Sequence, residues 1–246
     1  MDLAWLLLSL GVILVMFVLQ QVQVSVLLRS HGIQPGWLYP ALFNARRGIL
    51  NTLLPARSGT LVLLRGFTHR YGIQWHQFLF FFLVAGLVST YVSAVALIGV
   101  LWPWAYSAGV AAASAALSVL FARRARFCYA ATLPSLMLLA VGLYLSNAAL
   151  LFCVLRGLGF GIDLIEAAYL AVVLNVLAQI SITPGNLGVR EIAIGAIAPH
   201  VGMPIAVGIL GSSLMVVLRL GLYGAVWGAL ELLERPRDVG RSQVPP

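Results

Sequence analysis

Long apolar runs, separated by short basic or glycine-rich connectors, set the pattern of this chain. Residues 3–28, 39–67, 78–101, 104–122, 133–155, 164–183, 187–199 and 204–233 are nearly continuous stretches of apolar side chains. A helix needs about 20 such residues to cross a hydrocarbon layer of ~30 Å at 1.5 Å per residue. That length predicts an all-α integral membrane protein with about six full spans. Two runs do not fit: 39–67 is interrupted at Pro55, and 187–199 is too short to cross.

The interruptions are informative. Leu53-Leu54-Pro55-Ala56-Arg57-Ser58-Gly59 and Ile182-Thr183-Pro184-Gly185-Asn186-Leu187-Gly188-Val189-Arg190-Glu191 put proline, glycine and arginine into otherwise apolar surroundings. Proline removes a helical hydrogen bond, glycine weakens the helix, and a charge at bilayer depth costs about 3 kcal/mol. Broken backbone survives at that depth only where it lines a cavity or is buried in protein. Pro55, Gly59, Pro184, Gly185 and Gly188 are therefore expected to break two re-entrant hairpins in an inverted-repeat arrangement. Paired breaks in opposite halves of a chain are the pointer to a transporter binding site between the repeats.

Composition removes the soluble classes. Of the 246 residues, 61% are hydrophobic and 9% charged, against about 25% charged in soluble domains; mean hydropathy is +1.00. Residues 1–234 are expected to form one polytopic transmembrane domain, with 235–246 a short disordered cytoplasmic tail. No soluble catalytic domain fits in the remainder. The first run lacks a basic leader and a small-residue cleavage site, so a retained first span is expected.

The net charge of +8 is carried wholly by arginine, since the chain has no lysine. A GC-rich genome accounts for this, and so does phosphate binding, because guanidinium forks grip phosphate bidentately where lysine cannot. Basic residues collect in cytoplasmic loops. Arg29, Arg46, Arg47, Arg65 and Arg70 flank the first break, Arg123, Arg124 and Arg126 form a short loop, and Arg235, Arg237 and Arg241 end the chain. All three clusters share one side if the Pro55 unit enters and returns inside while the Pro184 unit enters and returns outside. Trp102-Pro103-Trp104 then sits at the outer interface. A bacterial inner-membrane location is expected.

Arg219 lies mid-way along the last run, too deep to snorkel, and is expected to face the bundle interior. It either pairs with Glu191 or lines a transport path, and Glu191 either caps its own helix or neutralises Arg219. Arg190 and Glu191 fall in the first turn after the second break, where free N–H groups favour an anion. Asn175, Gln179 and Thr183 recur every four residues, as interhelical glue or as a wet pathway. Arg57 occupies the first break as Arg190 occupies the second. Asn147, Gln20, Gln21 and Gln23 read as structural or interfacial, and Asp163 with Glu166 as a helix cap after the turn 156–163.

Cys128 and Cys153 read as core residues, and the four histidines lack ligand spacing, so no metal and no cofactor are expected. No nucleophile elbow or paired carboxylate marks an enzyme.

The stretch from Leu155-Arg156-Gly157-Leu158-Gly159 through Glu166-Ala167-Ala168 to Pro184-Gly185-Asn186-Leu187-Gly188-Val189-Arg190-Glu191 resembles the transmembrane family of the bacterial lysylphosphatidylglycerol synthase/flippase. That family shows an LR-x-LG connector, a helix, and a P-G-G-x-G-x-x-E break. Asn51-Thr52-Leu53-Leu54-Pro55-Ala56-Arg57-Ser58-Gly59 is similar to its N-x-L-P-x-R-x-G-E element, and Arg219 matches an arginine of its last span. The resemblance covers about residues 38–233. Asn186 replaces the second glycine, Thr60 stands where glutamate is frequent, and an E-R pair is absent from 78–91. No aminoacyl-transferase domain accompanies the spans, so lipid synthesis is not expected.

The resemblance implies translocation of an anionic phospholipid or a polyprenyl-phosphate-linked lipid between leaflets, without catalysis. Arg57, Arg190 and Arg219 would receive the phosphate. The rival readings are a polyprenyl-pyrophosphate phosphatase and a non-catalytic scaffold for a glycosyltransferase partner. The expected protein partner is a second copy in a homodimer or a glycosyltransferase, and no nucleic acid is expected.

Overall fold

The computed structural model describes residues 2–34, 36–54, 58–101, 132–179, 183, 186 and 188–238. Eight α-helices follow one another among them: α1 (Leu3–Ser30), α2 (Leu38–Leu53), α3 (Gly59–Tyr71), α4 (Trp75–Leu101), α5 (Leu133–Gly157), α6 (Leu164–Gln179), α7 (Val189–Ile197) and α8 (Ile205–Asp238). A 3₁₀ turn, Ala198–Val201, follows α7. No strand occurs among the described residues. The protein is all-helical, and α1, α4, α5 and α8 are long and apolar enough to cross a membrane.

The other runs are described only in part. Of the 164–183 run, the described residues form the 16-residue α6, about 24 Å long, and 180–182 lie outside them. The 104–122 run lies outside the described residues, as do the Trp102-Pro103-Trp104 turn, the loop at Arg123–Arg126 and Cys128. The last helix runs on to Asp238, so the first four residues of the expected tail, 235–238, are helical.

Local chemistry sets the helix ends. Asp2 caps α1 by accepting the Ala4 N–H at 3.1 Å. Asp163 and Glu166 form a reciprocal box at the start of α6: the Glu166 N–H reaches Asp163 Oδ1 at 2.8 Å, and the Asp163 N–H reaches Glu166 Oε2 at 3.0 Å. Both acids cap, as the sequence suggested.

Packing sorts the helix ends into two groups. An aromatic-rich cluster joins Val24, Leu27 and Leu28 of α1 to Phe43 of α2, Phe67 of α3, Phe78 and Phe81 of α4, and Leu136 of α5. The end of α8 joins this group through Arg46–Glu231 and Arg70–Glu234 contacts at 3.6 and 3.8 Å. At the opposite end the Asp2 N–H donates to the Gly157 carbonyl at 3.3 Å, bringing the start of α1 to the end of α5. The main core, with Ile13, Leu42, Leu151, Leu155, Leu170, Ile194 and Met215, fills the space between. Cys153 is a buried free thiol.

Candidate functional site

Both interruptions open onto one central cavity of about 430 Å³, and each of α1 to α8 contributes to its wall. Arginine enters it from three helices: Arg47 of α2, Arg190 of α7 and Arg219 of α8. No carboxylate is among the described residues that line it.

The first break is closed by side chains. Thr60, at the start of α3, donates its N–H to Asn51 Oδ1 at 2.9 Å and accepts from Asn51 Nδ2 at 3.0 Å. The same contact explains Gly59. A Cβ there would stand 2.5 Å from the backbone nitrogen of Asn51, so only glycine lets α3 turn back against α2. Pro55 and Arg57 lie outside the described residues.

At the second break Asn186 has φ +55°, the left-handed region. Asparagine tolerates that conformation far better than bulky residues do. Its side chain also donates to the Leu177 carbonyl at 2.7 Å, tying the break to the end of α6. Asparagine at this position is thus compatible with the turn. Gly188 (φ +83°) precedes α7; Pro184 and Gly185 lie outside the described residues.

Arg190, in the first turn of α7, is 8% exposed, and its Nε has no hydrogen-bond partner among the described residues. Arg219, on the neighbouring α8, lines the same cavity. Arg219 donates through Nη2 to Asn147 Oδ1 of α5 and approaches the Met16 sulfur at 3.8 Å. Asn175 lines the same space, with its Nδ2 buried and without a partner among the described residues. The structure therefore brings Arg190, Arg219 and Asn175 together. Thr183 is half-buried and is not among the lining residues; its carbonyl accepts the Asn186 N–H. The side chain of Gln179 lies outside those described.

The expected Glu191–Arg219 pair is not formed. Glu191 folds back on the start of its own helix as the N3 residue, its Oε2 accepting the Gly188 N–H at 2.6 Å while Oε1 accepts from Ser213 Oγ at 3.2 Å. Ser213 precedes Arg219 by six residues of α8, about 9 Å along the axis. Of the two roles open to Glu191, the helix end takes it and Arg219 does not.

Several lining residues were misassigned or passed over in the sequence, Gln23 and Ser89 among them. Arg47 was counted with the loop arginines, yet it is 8% exposed and faces the cavity. Asn147 and Gln20 were read as structural, and Tyr223 was not singled out. The Tyr223 hydroxyl donates to Gln20 Oε1 at 3.0 Å, its ring meets Phe17 edge-on at 5.5 Å, and it lies against Gly48, where a Cβ would come within 2.0 Å of the ring. A signal for Arg47 was present. Asn44, Arg47, Gly48 and Asn51 recur at i, i+3, i+4 and i+7, a polar and small stripe along one face of α2.

Comparison with protein-family models, with curated proteins and with solved structures finds no match for this chain. The likeness to the lysylphosphatidylglycerol synthase/flippase family rests on its motif residues alone.

Proposed function

We propose that this protein translocates an anionic or polyprenyl-phosphate-linked lipid between the leaflets of a bacterial inner membrane. The observation that carries the reading is the convergence of three arginines on one central cavity walled by α1 to α8, with no described carboxylate among its lining residues. A phosphate crossing a low-dielectric layer needs compensating charge along its path, and guanidiniums supply it with directed hydrogen bonds. The acyl chains stay in lipid while the head group passes through the cavity.

In this reading α2 and α3 form one re-entrant hairpin, and α6 and α7 the inverted counterpart. The grouping of helix ends supports it: α2 starts and α3 ends beside the end of α8, whereas α6 starts just beyond the end of α5. Both broken tips then meet in the cavity, where irregular backbone finds polar neighbours.

Proteoliposomes carrying labelled anionic or neutral lipid test this. The native protein should move the anionic lipid faster, and Arg190→Gln or Arg219→Gln should abolish that preference without unfolding the protein. Lysine should replace either arginine poorly, since it keeps charge but loses the planar fork. Equal rates for native and variant proteins would overturn the phosphate role. Absence of any lipid movement, with co-purification of a glycosyltransferase, would favour the scaffold; phosphate release from a polyprenyl diphosphate would favour the phosphatase.

A further inference from the structure

Building on the lipid-translocation reading, we infer that the head group carries a neutral polyhydroxyl moiety, a polyol or a sugar, next to its phosphate, and that Asn175 and Asn186 receive its hydroxyls. The placement of the carboxamides carries this. The chain has five asparagines, and four of them, Asn51, Asn147, Asn175 and Asn186, line the central cavity beside Gln20 and Gln23. The fifth, Asn44, accepts from Arg47 at the cavity wall. A carboxamide among apolar spans is costly unless its polar atoms are met, so four around one space point to a ligand with matching groups.

The atoms these side chains leave over decide the chemistry. Asn51 Oδ1 takes the Thr60 N–H, Asn147 Oδ1 takes Arg219 Nη2, and Gln20 Oε1 takes the Tyr223 hydroxyl. Those oxygens are used. Asn186 is the reverse case: its Nδ2 donates to the Leu177 carbonyl, which leaves Oδ1. Asn175 has its Nδ2 buried without a partner among the described residues, so Oδ1 is the polar atom it can offer the cavity. A phosphate brings acceptors alone; it suits Arg190 and Arg219 but cannot serve two amide oxygens. They need a donor. An ammonium would have to enter a cavity lined by those arginines with no described carboxylate, where like charge opposes it. A hydroxyl donates without carrying charge.

The cavity has room for such a group beside a phosphate. Its volume of about 430 Å³ lies in the range of about 300–1,000 Å³ that encloses a drug-sized ligand. It also continues past Arg219 to Tyr223, one turn of α8 or about 6 Å further on.

Binding to the purified full-length protein in detergent tests the inference, with two matched pairs of dioctanoyl lipids. Phosphatidylinositol is compared with phosphatidylcyclohexanol, and phosphatidylglycerol with phosphatidylpropanol. Within each pair the tails, the phosphate charge and the carbon skeleton are constant, so the hydroxyls are the variable. In at least one pair the hydroxylated lipid should bind about tenfold tighter, the scale of one or two hydrogen bonds made in exchange for bonds to water. Equal affinities within both pairs overturn the polyhydroxyl head group; the anionic-lipid reading still stands if all four lipids bind tighter than dioctanoylglycerol. Failure of all four to exceed dioctanoylglycerol overturns both. Phosphatidylethanolamine binding as tightly as the hydroxylated lipids overturns the hydroxyl in favour of an ammonium donor. Inositol 1-phosphate or glycerol 1-phosphate binding as tightly as the corresponding lipid overturns the lipid-borne ligand in favour of a free one. Asn175→Leu should remove the preference within the pairs and keep the preference over dioctanoylglycerol. A folded Asn175→Leu protein that retains the pair preference, or loses affinity for every lipid equally, overturns the assignment of Asn175. If that variant does not fold, the native ranking decides the head group and Asn175→Ser, a shorter acceptor, decides the residue, an unchanged preference overturning its role. Asn186→Gly, which tolerates the left-handed backbone, should lower the preference as well, and an unchanged preference overturns the assignment of Asn186.

Discussion

Arg219 of α8 donates a hydrogen bond to Asn147 of α5, so the deepest charge in the sequence is held by a neutral amide and not by a carboxylate. A neutral partner orients the guanidinium and leaves its charge uncancelled. That is the arrangement a transient anionic ligand requires, and an ion pair would oppose it.

A double-mutant cycle in thermal unfolding separates the two possible partners of Arg219. Asn147→Leu and Arg219→Leu should be non-additive, with a coupling of at least ~0.5 kcal/mol. Glu191→Gln and Arg219→Leu should add to within about 0.5 kcal/mol, as residues without a shared contact do. A large Glu191–Arg219 coupling would contradict the capping role of Glu191.

Close approach of α2 to its neighbours gives a second expectation. Gly48→Ala drives a methyl into the Tyr223 ring, which Phe17 and Gln20 hold in place. The variant should lose about 1–3 kcal/mol, as over-packed cores do, and Tyr223→Ala should recover most of it. Gly59→Ala meets backbone, not a movable ring, so no side-chain truncation should rescue it.

At the second break, Asn186→Gly keeps the left-handed backbone and loses only the bond to the Leu177 carbonyl. It should cost about 1 kcal/mol. Asn186→Val adds the left-handed penalty of roughly 1–2 kcal/mol and should be clearly worse. Equal stability of the two variants, measured by thermal unfolding, would remove the backbone argument.

The hairpin topology predicts labelling from two sides. In a background with Cys128 and Cys153 replaced, Arg29→Cys and Gln74→Cys should react from one face of the membrane. Gly161→Cys and His200→Cys should react from the other. Reaction of Gln74→Cys from the same face as His200→Cys would make α2 and α3 a full crossing and exclude the first re-entrant hairpin.

The sequence by itself determined the class of molecule and the places where it had to be irregular. Apolar runs of spanning length allow only helices in lipid, because every backbone group must be satisfied internally. Proline and glycine at Pro55, Gly59 and the 184–188 segment disfavour a continuous helix through either stretch. Asp163 and Glu166 were equally legible, since a capping box is made within four residues. Arg190 and Arg219 stood out because a charge at depth must face protein or water. What a side chain meets across the bundle was decided only by tertiary packing. Arg47 reads like its neighbour Arg46 in a line of sequence, yet successive helix positions are rotated by about 100°. One guanidinium therefore faces the cavity, while the other reaches Glu231 and the Trp227 ring at the end of α8. Glu191 could have turned to Arg219 or to its own helix end. The nearby Gly188 N–H and Ser213 hydroxyl claimed it, leaving the arginines of the cavity without a carboxylate among its described lining residues.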